Sequence, residues 1–238
     1  MSKPFQFKEF TIHQERCAMK VGTDGVLLGA WVSLEHNPQS IFDIGAGTGL
    51  IALQLAQRSA AETIDAIEID TDAYEQCVEN FEGSPWADRL FCYHASLQEF
   101  VIEMEDESYD LIISNPPFYT DDYKTEDAAR DAARFTDTLP FEHLIGAVHQ
   151  LLSKDGVFAT ILPIKEKAHF ISLASEAGLF PKRICNVKGS STSEEKRVLL
   201  EFSFTETTPK LETLTLELAR HEYTEDYLNL VRDFYLKL

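Results

Sequence analysis

The sequence predicts an α/β fold: a Rossmann-like seven-stranded, mostly parallel sheet with an antiparallel last strand and with helices on both faces. From about residue 39 onward, short apolar runs alternate with amphipathic stretches, a succession typical of parallel strands joined by crossover helices. The last two apolar runs, at 183–187 and 197–204, have no helical stretch between them, so these two strands are expected to pair antiparallel.

The remaining elements follow in order along the chain. We expect strands at 40–44, 63–68, 90–93, 109–114 and 156–162, and helices at 48–58, 72–81, 141–152 and 165–177. An apolar helix at 26–34 is expected to pack on the sheet, with Thr23 or Asp24 as its N-terminal cap. Residues 211–238 begin like a strand and end with the pattern of a docking helix.

The composition indicates one domain without a membrane span, a metal site or a disulfide framework. The chain has 238 residues, 44% of them hydrophobic, and no apolar stretch approaches the roughly 18 residues that a span needs. The N-terminus has no apolar signal-peptide centre, and the four cysteines are scattered without a close pair. We therefore expect a cytoplasmic, metal-free protein, most simply a monomer.

The net charge of −19 hides a local reversal. Between residues 163 and 198 the bases outnumber the acids: Lys165, Lys167, Lys182, Arg183, Lys188, Lys196 and Arg197 face Glu166, Glu176, Glu194 and Glu195. Two interpretations stand side by side, an ordinary solvated face and a basic patch beside an active site.

A glycine-rich turn follows the first predicted strand of the sheet. The segment Asp43-Ile44-Gly45-Ala46-Gly47-Thr48-Gly49 has the spacing Gly-x-Gly-x-Gly, whereas a dinucleotide site uses Gly-x-Gly-x-x-Gly. An acid ahead of the turn does not help to bind an anion, but it favours a cofactor that carries an amino group and a sulfonium. At this point the sequence resembles the class I S-adenosylmethionine methyltransferases.

Further cofactor contacts are implied by the same resemblance. Glu68, at the tip of the second strand, occupies the position of the acid that accepts both ribose hydroxyls. After the third strand the family often has an aspartate for the adenine amine, and here Ser96 stands in its place. The expected cofactor-binding residues are Asp43, Gly45, Ala46, Gly47, Gly49, Glu68, Ser96, Asn115, Lys20 and Thr23.

A second motif, Asn115-Pro116-Pro117-Phe118, ends the fourth strand and resembles the amino-methyltransferase motif. The lone pair of an exocyclic amine is shared with its ring, so two acceptors aimed at its hydrogens would make it a better nucleophile. The Asn115 side-chain oxygen and the Pro116 carbonyl would supply them, and Phe118 would stack on the base. We therefore assign Asn115, Pro116 and Phe118 as catalytic, with most of the rate gain from orientation and electrostatics.

The segment at residues 17–31 resembles the bacterial tRNA (valine) adenine-N6 methyltransferase family. It reads Cys17-Ala18-Met19-Lys20-Val21-Gly22-Thr23-Asp24-Gly25-Val26-Leu27-Leu28-Gly29-Ala30-Trp31. The likeness continues to residues 220–224, so it spans nearly the whole chain. It implies N6-methylation of the adenosine next to the anticodon of a valine tRNA, with S-adenosylmethionine as the only cofactor. Phe118, Tyr119, Lys165, Lys188, Lys196 and Arg197 are the expected substrate-binding residues.

Other substrates share the same planar nitrogen. A guanine N2 in ribosomal RNA, an adenine in DNA and a glutamine side-chain amide remain alternatives, as does a cofactor-sensing protein without catalysis. The domain is expected to comprise an N-terminal cap at 1–38, a catalytic core at 39–204 and a C-terminal extension at 205–238, with residues 119–138 as a lid over the substrate.

Overall fold

The computed structural model describes residues 3–117 and 139–237, and these residues form eleven strands and seven α-helices. The strands are β1 (Phe5–Gln6), β2 (Thr11–Ile12), β3 (Ser40–Ile44), β4 (Thr63–Glu68), β5 (Leu90–His94), β6 (Tyr109–Ser114), β7 (Leu152–Pro163), β8 (Phe180–Ser190), β9 (Glu195–Ser203), β10 (Lys210–Ala219) and β11 (Glu222–Tyr223). The helices are α1 (Thr23–Trp31), α2 (Leu50–Arg58), α3 (Thr71–Glu82), α4 (Leu97–Glu103), α5 (Phe141–Leu151), α6 (Lys167–Glu176) and α7 (Glu225–Val231).

The central sheet of the described residues has nine strands in the order β11-β10-β8-β9-β7-β6-β3-β4-β5. β9 runs antiparallel to both β7 and β8, and β11 runs antiparallel to β10, while the other neighbours are parallel. The predicted Rossmann-like sheet with an antiparallel strand near its end is confirmed. The predicted number of seven strands is too low, because the C-terminal segment adds β10 and β11 to the edge of the sheet.

The central strands are covered on both faces, which explains why they read as continuous apolar runs. In β6, for example, Leu111 and Ile113 belong to the core layer under α1 and α2, whereas Ile112 belongs to the layer under α5 and α6. All three side chains are fully buried. The strand therefore contributes to two apolar layers at once, and neither face is available to a ligand.

The start of helix α1 differs from the sequence-based expectation. Helix α1 begins at Thr23, and its N-cap is Gly22, which makes no side-chain cap, so the prediction that Thr23 or Asp24 caps this helix is wrong. The Asp24 carboxylate instead accepts a hydrogen bond from Arg197 Nε at 2.8 Å. Helix α3 does have a side-chain cap, because Asp70 Oδ1 accepts from the Ala73 N–H at 2.8 Å.

A buried ion pair anchors the C-terminal end of α1 to the sheet at the amino-terminal ends of the parallel strands. Glu201 is completely buried, and its Oε1 accepts from Ser33 N at 2.7 Å and from Arg183 Nη1 at 2.8 Å. The Arg183 guanidinium also lies 4.2 Å above the Trp31 ring. Burial raises the pKa of Glu201, and the charge of Arg183 opposes that shift.

Replacing Glu201 by Ala is expected to lower the free energy of unfolding by about 2–4 kcal/mol, because Arg183 and the Ser33 N–H lose a buried acceptor. Urea denaturation followed by circular dichroism measures this. The exposed Glu206→Ala is the matched control and should change the free energy by less than about 0.5 kcal/mol. A Glu201→Ala protein as stable as the wild type would show that this ion pair does not hold α1 in place.

Candidate active site

The glycine-rich turn between β3 and α2 lies at the carboxyl edge of the parallel strands. Gly45, Gly47 and Gly49 have φ values of +76°, +55° and +78°, a region that favours glycine. A Cβ on Gly45 or Gly47 would meet nothing within 4 Å, so both face open space. A Cβ on Gly49 would lie 2.6 Å from Phe81 Cε1, so this glycine is needed for packing against α3. Two glycines are thus open to a ligand, and the third holds the turn in place.

Asp43 lies beneath this turn and is fully buried. Its Oδ2 accepts from the Ala52 N–H at 3.2 Å, in the first turn of α2, while Oδ1 has no hydrogen-bond partner among the described residues. Burial, opposed by the Ala52 hydrogen bond, raises the pKa of Asp43 to about 7. A buried carboxylate oxygen without a partner fits a positively charged ligand group, as the sequence predicts for the amino group of the cofactor.

Glu68 connects the tip of β4 to the glycine turn. Its Oε2 accepts from Gly47 N at 2.8 Å, and its Oε1 accepts from Ile69 N and Asp70 N at 2.8 and 2.9 Å. A carboxylate offers about four acceptor positions, so capacity for a ribose hydroxyl remains. Ile69, next in the chain, is 61% exposed, an apolar surface on which a nucleobase can lie. The sequence reasoning missed Ile69, although an apolar residue directly after a strand-tip acid is a readable signal.

Ser96 caps α4 in a reciprocal arrangement with Glu99. The serine hydroxyl donates to Glu99 Oε2 at 2.7 Å and accepts from Glu99 N at 3.3 Å, while the Ser96 N–H donates to the same carboxylate oxygen. One lone pair of the hydroxyl stays available, and it can only accept a hydrogen bond. The Ser-x-x-Glu spacing that signals this capping box is visible in the sequence and was missed.

The Asn115-Pro116-Pro117 turn directly follows β6, which pairs with β3 so that Ser114 lies opposite Ile44. Ser114 Oγ donates to the Ile44 carbonyl at 2.9 Å, which ties the two strand ends together. Asn115 and Gly45 are therefore the next residues on neighbouring strands, and the two predicted motifs meet at one edge. Pro116 is buried and Asn115 is half-buried. Phe118, Tyr119 and the predicted lid at 119–138 lie outside the described residues.

The N-terminal segment passes close to the same edge. Lys20 Nζ donates to the Gln14 carbonyl at 2.5 Å. Cys17 is buried beneath this segment, and burial together with the nearby charge of Glu68 raises the pKa of its thiol to about 11. Thr23 is exposed at the start of α1. A Cβ on Gly25 would lie 3.2 Å from Leu50 Cδ2, so α1 begins against the start of α2.

Four of the predicted substrate-binding bases lie at the carboxyl edge. Lys165 follows the end of β7, and Lys188 is near the end of β8. Because β9 is antiparallel, its first residues, Lys196 and Arg197, reach the same edge, with Arg197 opposite Pro163. Of these, Arg197 is engaged in the ion pair with Asp24 described above.

Of two further lysines in the predicted basic patch, Lys182 lies at the opposite edge and Lys167 is engaged by a neighbouring side chain. Lys182 lies near the amino end of β8, next to Arg183, which pairs with Glu201, so its assignment to this patch is wrong. Lys167 Nζ donates to Asn186 Oδ1 at 3.0 Å. The cause of the error is that the sequence shows a charge run but not which end of a strand each charge occupies.

Within residues 3–117 and 139–237, no group of three or more His, Cys, Asp or Glu side chains is arranged to hold a metal ion. No helix in this described part of the chain has both the length and the apolar character to cross a membrane.

Comparison with known proteins decides the family. The Methyltransferase small domain model matches residues 24–138. The chain is 59% identical to the tRNA1(Val) (adenine(37)-N6)-methyltransferase of Christiangramia forsetii, over 100% of this chain and 99% of that protein. A protein of the same name from Parabacteroides distasonis is 48% identical over the full length of both. The chain belongs to the tRNA1(Val) (adenine(37)-N6)-methyltransferase family. The resemblance carried by the N-terminal segment is thereby confirmed, and the chain is an S-adenosylmethionine-dependent methyltransferase.

Solved structures of low sequence identity support the fold of this methyltransferase. A predicted O-methyltransferase, protein Atu636 from Agrobacterium tumefaciens, is 19% identical with a TM-score of 0.69, over 89% of this chain and 96% of that one. A putative transferase from Pyrococcus horikoshii is 15% identical with a TM-score of 0.59, over 85% and 72%. At these identities the likeness establishes the shared architecture alone.

Asp43→Asn is expected to remove a pH dependence of stability in the cofactor-free enzyme. The folded-state pKa of Asp43 is about 7, against an ordinary value of 3.8, so the folded protein binds more protons than the unfolded chain between those values. Stability of the wild type relative to Asp43→Asn should therefore fall as the pH rises from about 4 to about 7 and level off above. Urea denaturation across this range measures it. Parallel stability curves for the two proteins would contradict the assigned pKa.

Proposed function

We propose that this enzyme transfers the methyl group of S-adenosylmethionine to N6 of adenosine 37 in tRNA1(Val). The observation that carries the proposal is the position of the Asn115-Pro116-Pro117 turn beside the glycine-rich turn at one edge of the sheet. The names of the full-length relatives support the choice of the nucleoside. They also favour it over guanine N2, DNA adenine and a glutamine amide, which present the same planar nitrogen.

The residues present fit the cofactor. When bound, S-adenosylmethionine supplies a methyl group on a positively charged sulfur. Gly45 and Gly47 leave open space above the turn, so a ligand can approach their backbone. We assign the unpartnered Oδ1 of Asp43 to the cofactor's ammonium group and the remaining acceptor capacity of Glu68 to its ribose. Ala46 and Gly49 of the same turn, with Ser96, Lys20, Thr23 and Asn115, complete the proposed cofactor-binding set.

Asn115 and Pro116 orient the amine. The carbonyl oxygen of the Asn115 side chain and the main-chain carbonyl of Pro116 accept the two N6 hydrogens, which directs the nitrogen lone pair at the methyl group. Proline has no N–H, and its fixed φ keeps this carbonyl in one direction. We assign Phe118 to stacking on the adenine ring and Tyr119 to substrate binding. After transfer the amine has a low pKa and loses its proton without a strong base, so positioning dominates the catalysis.

The carboxyl edge offers the RNA backbone a local positive surface on an acidic protein. Lys165, Lys188 and Lys196 come from three different elements and meet there, with Arg197 beside them. Sequence-specific RNA recognition targets unpaired bases that can leave their stack, and an adenosine next to an anticodon is such a base. We place the reaction in the cytoplasm, where a monomer acts on tRNA.

Asn115→Ala is expected to lower kcat by about 100-fold or more, since one of the two acceptors for the amine is lost. Cofactor affinity should change by less than about threefold, because the glycine turn and Glu68 are untouched. Methyl transfer from labelled S-adenosylmethionine to a tRNA1(Val) transcript measures kcat, and calorimetry measures affinity. Exposed Asn229→Ala is the control. Loss of cofactor binding together with activity would show that Asn115 does not have the assigned role.

The substrate itself is tested by offering the labelled cofactor with total tRNA, ribosomal RNA, DNA and protein extract. We expect N6-methyladenosine in tRNA only, and no label in a tRNA1(Val) transcript whose adenosine 37 is replaced by guanosine. Label in ribosomal RNA, DNA or protein under the same conditions would contradict the proposed substrate.

Lys196→Glu is expected to raise the KM for tRNA by about tenfold, because one phosphate contact is lost. The slope of the logarithm of the binding constant against the logarithm of the salt concentration should become shallower by about one. Lys182→Glu is the matched control, because it makes the same charge change at the opposite edge of the sheet. Filter binding at several salt concentrations measures both variants. Equal effects at the two lysines would show that only the total charge matters.

A further inference from the structure

A buried amide joins the N-terminal segment to the glycine-rich turn. Asn80, on α3, is only 2% exposed. Its Oδ1 accepts from the His13 N–H at 2.8 Å, and its Nδ2 donates to the His13 carbonyl at 2.8 Å and to the Thr48 carbonyl at 2.9 Å. Thr48 lies between Gly47 and Gly49, two of the three turn glycines that have positive φ. One side chain therefore holds two backbone segments that are far apart in sequence.

Residues 13–21, the N-terminal strap, form a loop whose two ends are tied together. Gln14 Oε1 accepts from the Val21 N–H at 2.8 Å, and the Gln14 carbonyl accepts from Lys20 Nζ. Gln14 is almost fully buried, at 9% exposure. Gln14 accepts both hydrogen bonds, and together they close the loop. The strap therefore keeps its shape without regular secondary structure.

The strap also lies along α3. The Arg16 N–H donates to Gln76 Oε1 at 3.4 Å, and the Arg16 guanidinium pairs with Glu75, at 2.9 Å, and with Glu79. Gln76 is completely buried. Three buried amide side chains therefore hold the strap: Asn80 and Gln76 bind its backbone from α3, and Gln14 closes its loop from within. These contacts place the strap beside α3 and the tip of β4.

Cys17 lies on the buried side of the strap and is influenced by the charge of Glu68. Its side chain is buried at 4% exposure, and after burial the charge of Glu68 is the next cause that raises the pKa of its thiol. Glu68 is the residue assigned to the ribose, and it is bonded to Gly47 in the glycine-rich turn. The strap therefore borders the region between the ribose acid and the turn.

We propose that Asn80 is a positioning residue for the cofactor. It holds the strap at a fixed distance from the Thr48 carbonyl, so that the strap forms one wall of the cofactor site before the cofactor binds. The inference rests on the proposed function, since it takes the glycine-rich turn and Glu68 as the cofactor site. A wall that is already ordered lowers the entropic cost of binding. Asn80 itself lies under the turn and acts through the two segments that it holds.

Asn80→Asp is the direct test, because it conserves shape and the acceptor for His13 N but removes both donors. A carboxylate would then face the carbonyls of His13 and Thr48, and the strap would be released. We expect the Kd for S-adenosylmethionine, measured by calorimetry without RNA, to rise about tenfold, which corresponds to the net worth of one hydrogen bond. The KM for the cofactor should rise equally, while kcat at saturation and the KM for tRNA stay within about twofold.

Tyr109→Phe is the matched control for a general loss of stability. It removes the buried hydrogen bond from Tyr109 Oη to Asp65 at 2.7 Å, in the core layer under α4 and α5. This variant should bind the cofactor like the wild type. Unchanged cofactor affinity in Asn80→Asp, or equal weakening in Tyr109→Phe, overturns the proposal.

A second variant covers the case in which Asn80→Asp does not fold. Arg16→Met breaks only the ion pairs of the strap with Glu75 and Glu79, which are partly exposed. We expect the Kd for the cofactor to rise about two- to fivefold, as for loss of an exposed pair network, and an unchanged Kd overturns the role of the strap. A wild-type protein that does not bind S-adenosylmethionine would instead refute the proposed function itself.

Discussion

The active site depends on one topological constraint, the reversal of strand order at β3. The chain places β4 on one side of β3 and, after two crossovers, β6 on the other. Loops that leave the carboxyl ends of β3 and β6 must therefore diverge, and the crevice between them is where an open parallel sheet binds its ligand. The glycine-rich turn borders one side of this crevice, and Asn115 borders the other. The methyl donor and the amine can meet only because both turns start from neighbouring strands.

Buried and half-buried polar side chains fix the backbone of the glycine-rich turn and of the helix that follows it. Asp43 holds the first turn of α2, Glu68 holds Gly47, and Asn80 holds the carbonyl of Thr48. Glu68 and Asn80 bind the backbone of the turn, and Asp43 binds the helix that follows it, so tertiary contacts, as well as its glycines, determine the turn. Asp43 is buried, and its Oδ1 has no hydrogen-bond partner among the described residues. Burial raises its pKa, and a positively charged ligand would supply the missing partner.

The antiparallel strand β9 makes an acidic protein compatible with the proposed RNA substrate. Its reversed direction brings Lys196 and Arg197 to the carboxyl edge, where Lys165 and Lys188 also lie. A net charge of −19 repels a polyanion at long range, but screening limits that repulsion to about a Debye length, roughly 8 Å at physiological salt. Local charges at the edge can therefore decide how the RNA docks.

Local patterns in the sequence determined most of the strands and helices, the glycine-rich turn, the Asn115 turn and the family, because each of these is encoded in consecutive residues with a definite period or spacing. Only the tertiary structure decided the rest. It added β10 and β11 to the sheet, placed Lys182 at the edge opposite Lys165 and Lys196, and gave Asp24 an ion-pair partner instead of a capping role. It also revealed Asn80, an ordinary residue of an amphipathic helix in the sequence. These features depend on pairs of residues far apart in the chain, and no local pattern records which of them will meet.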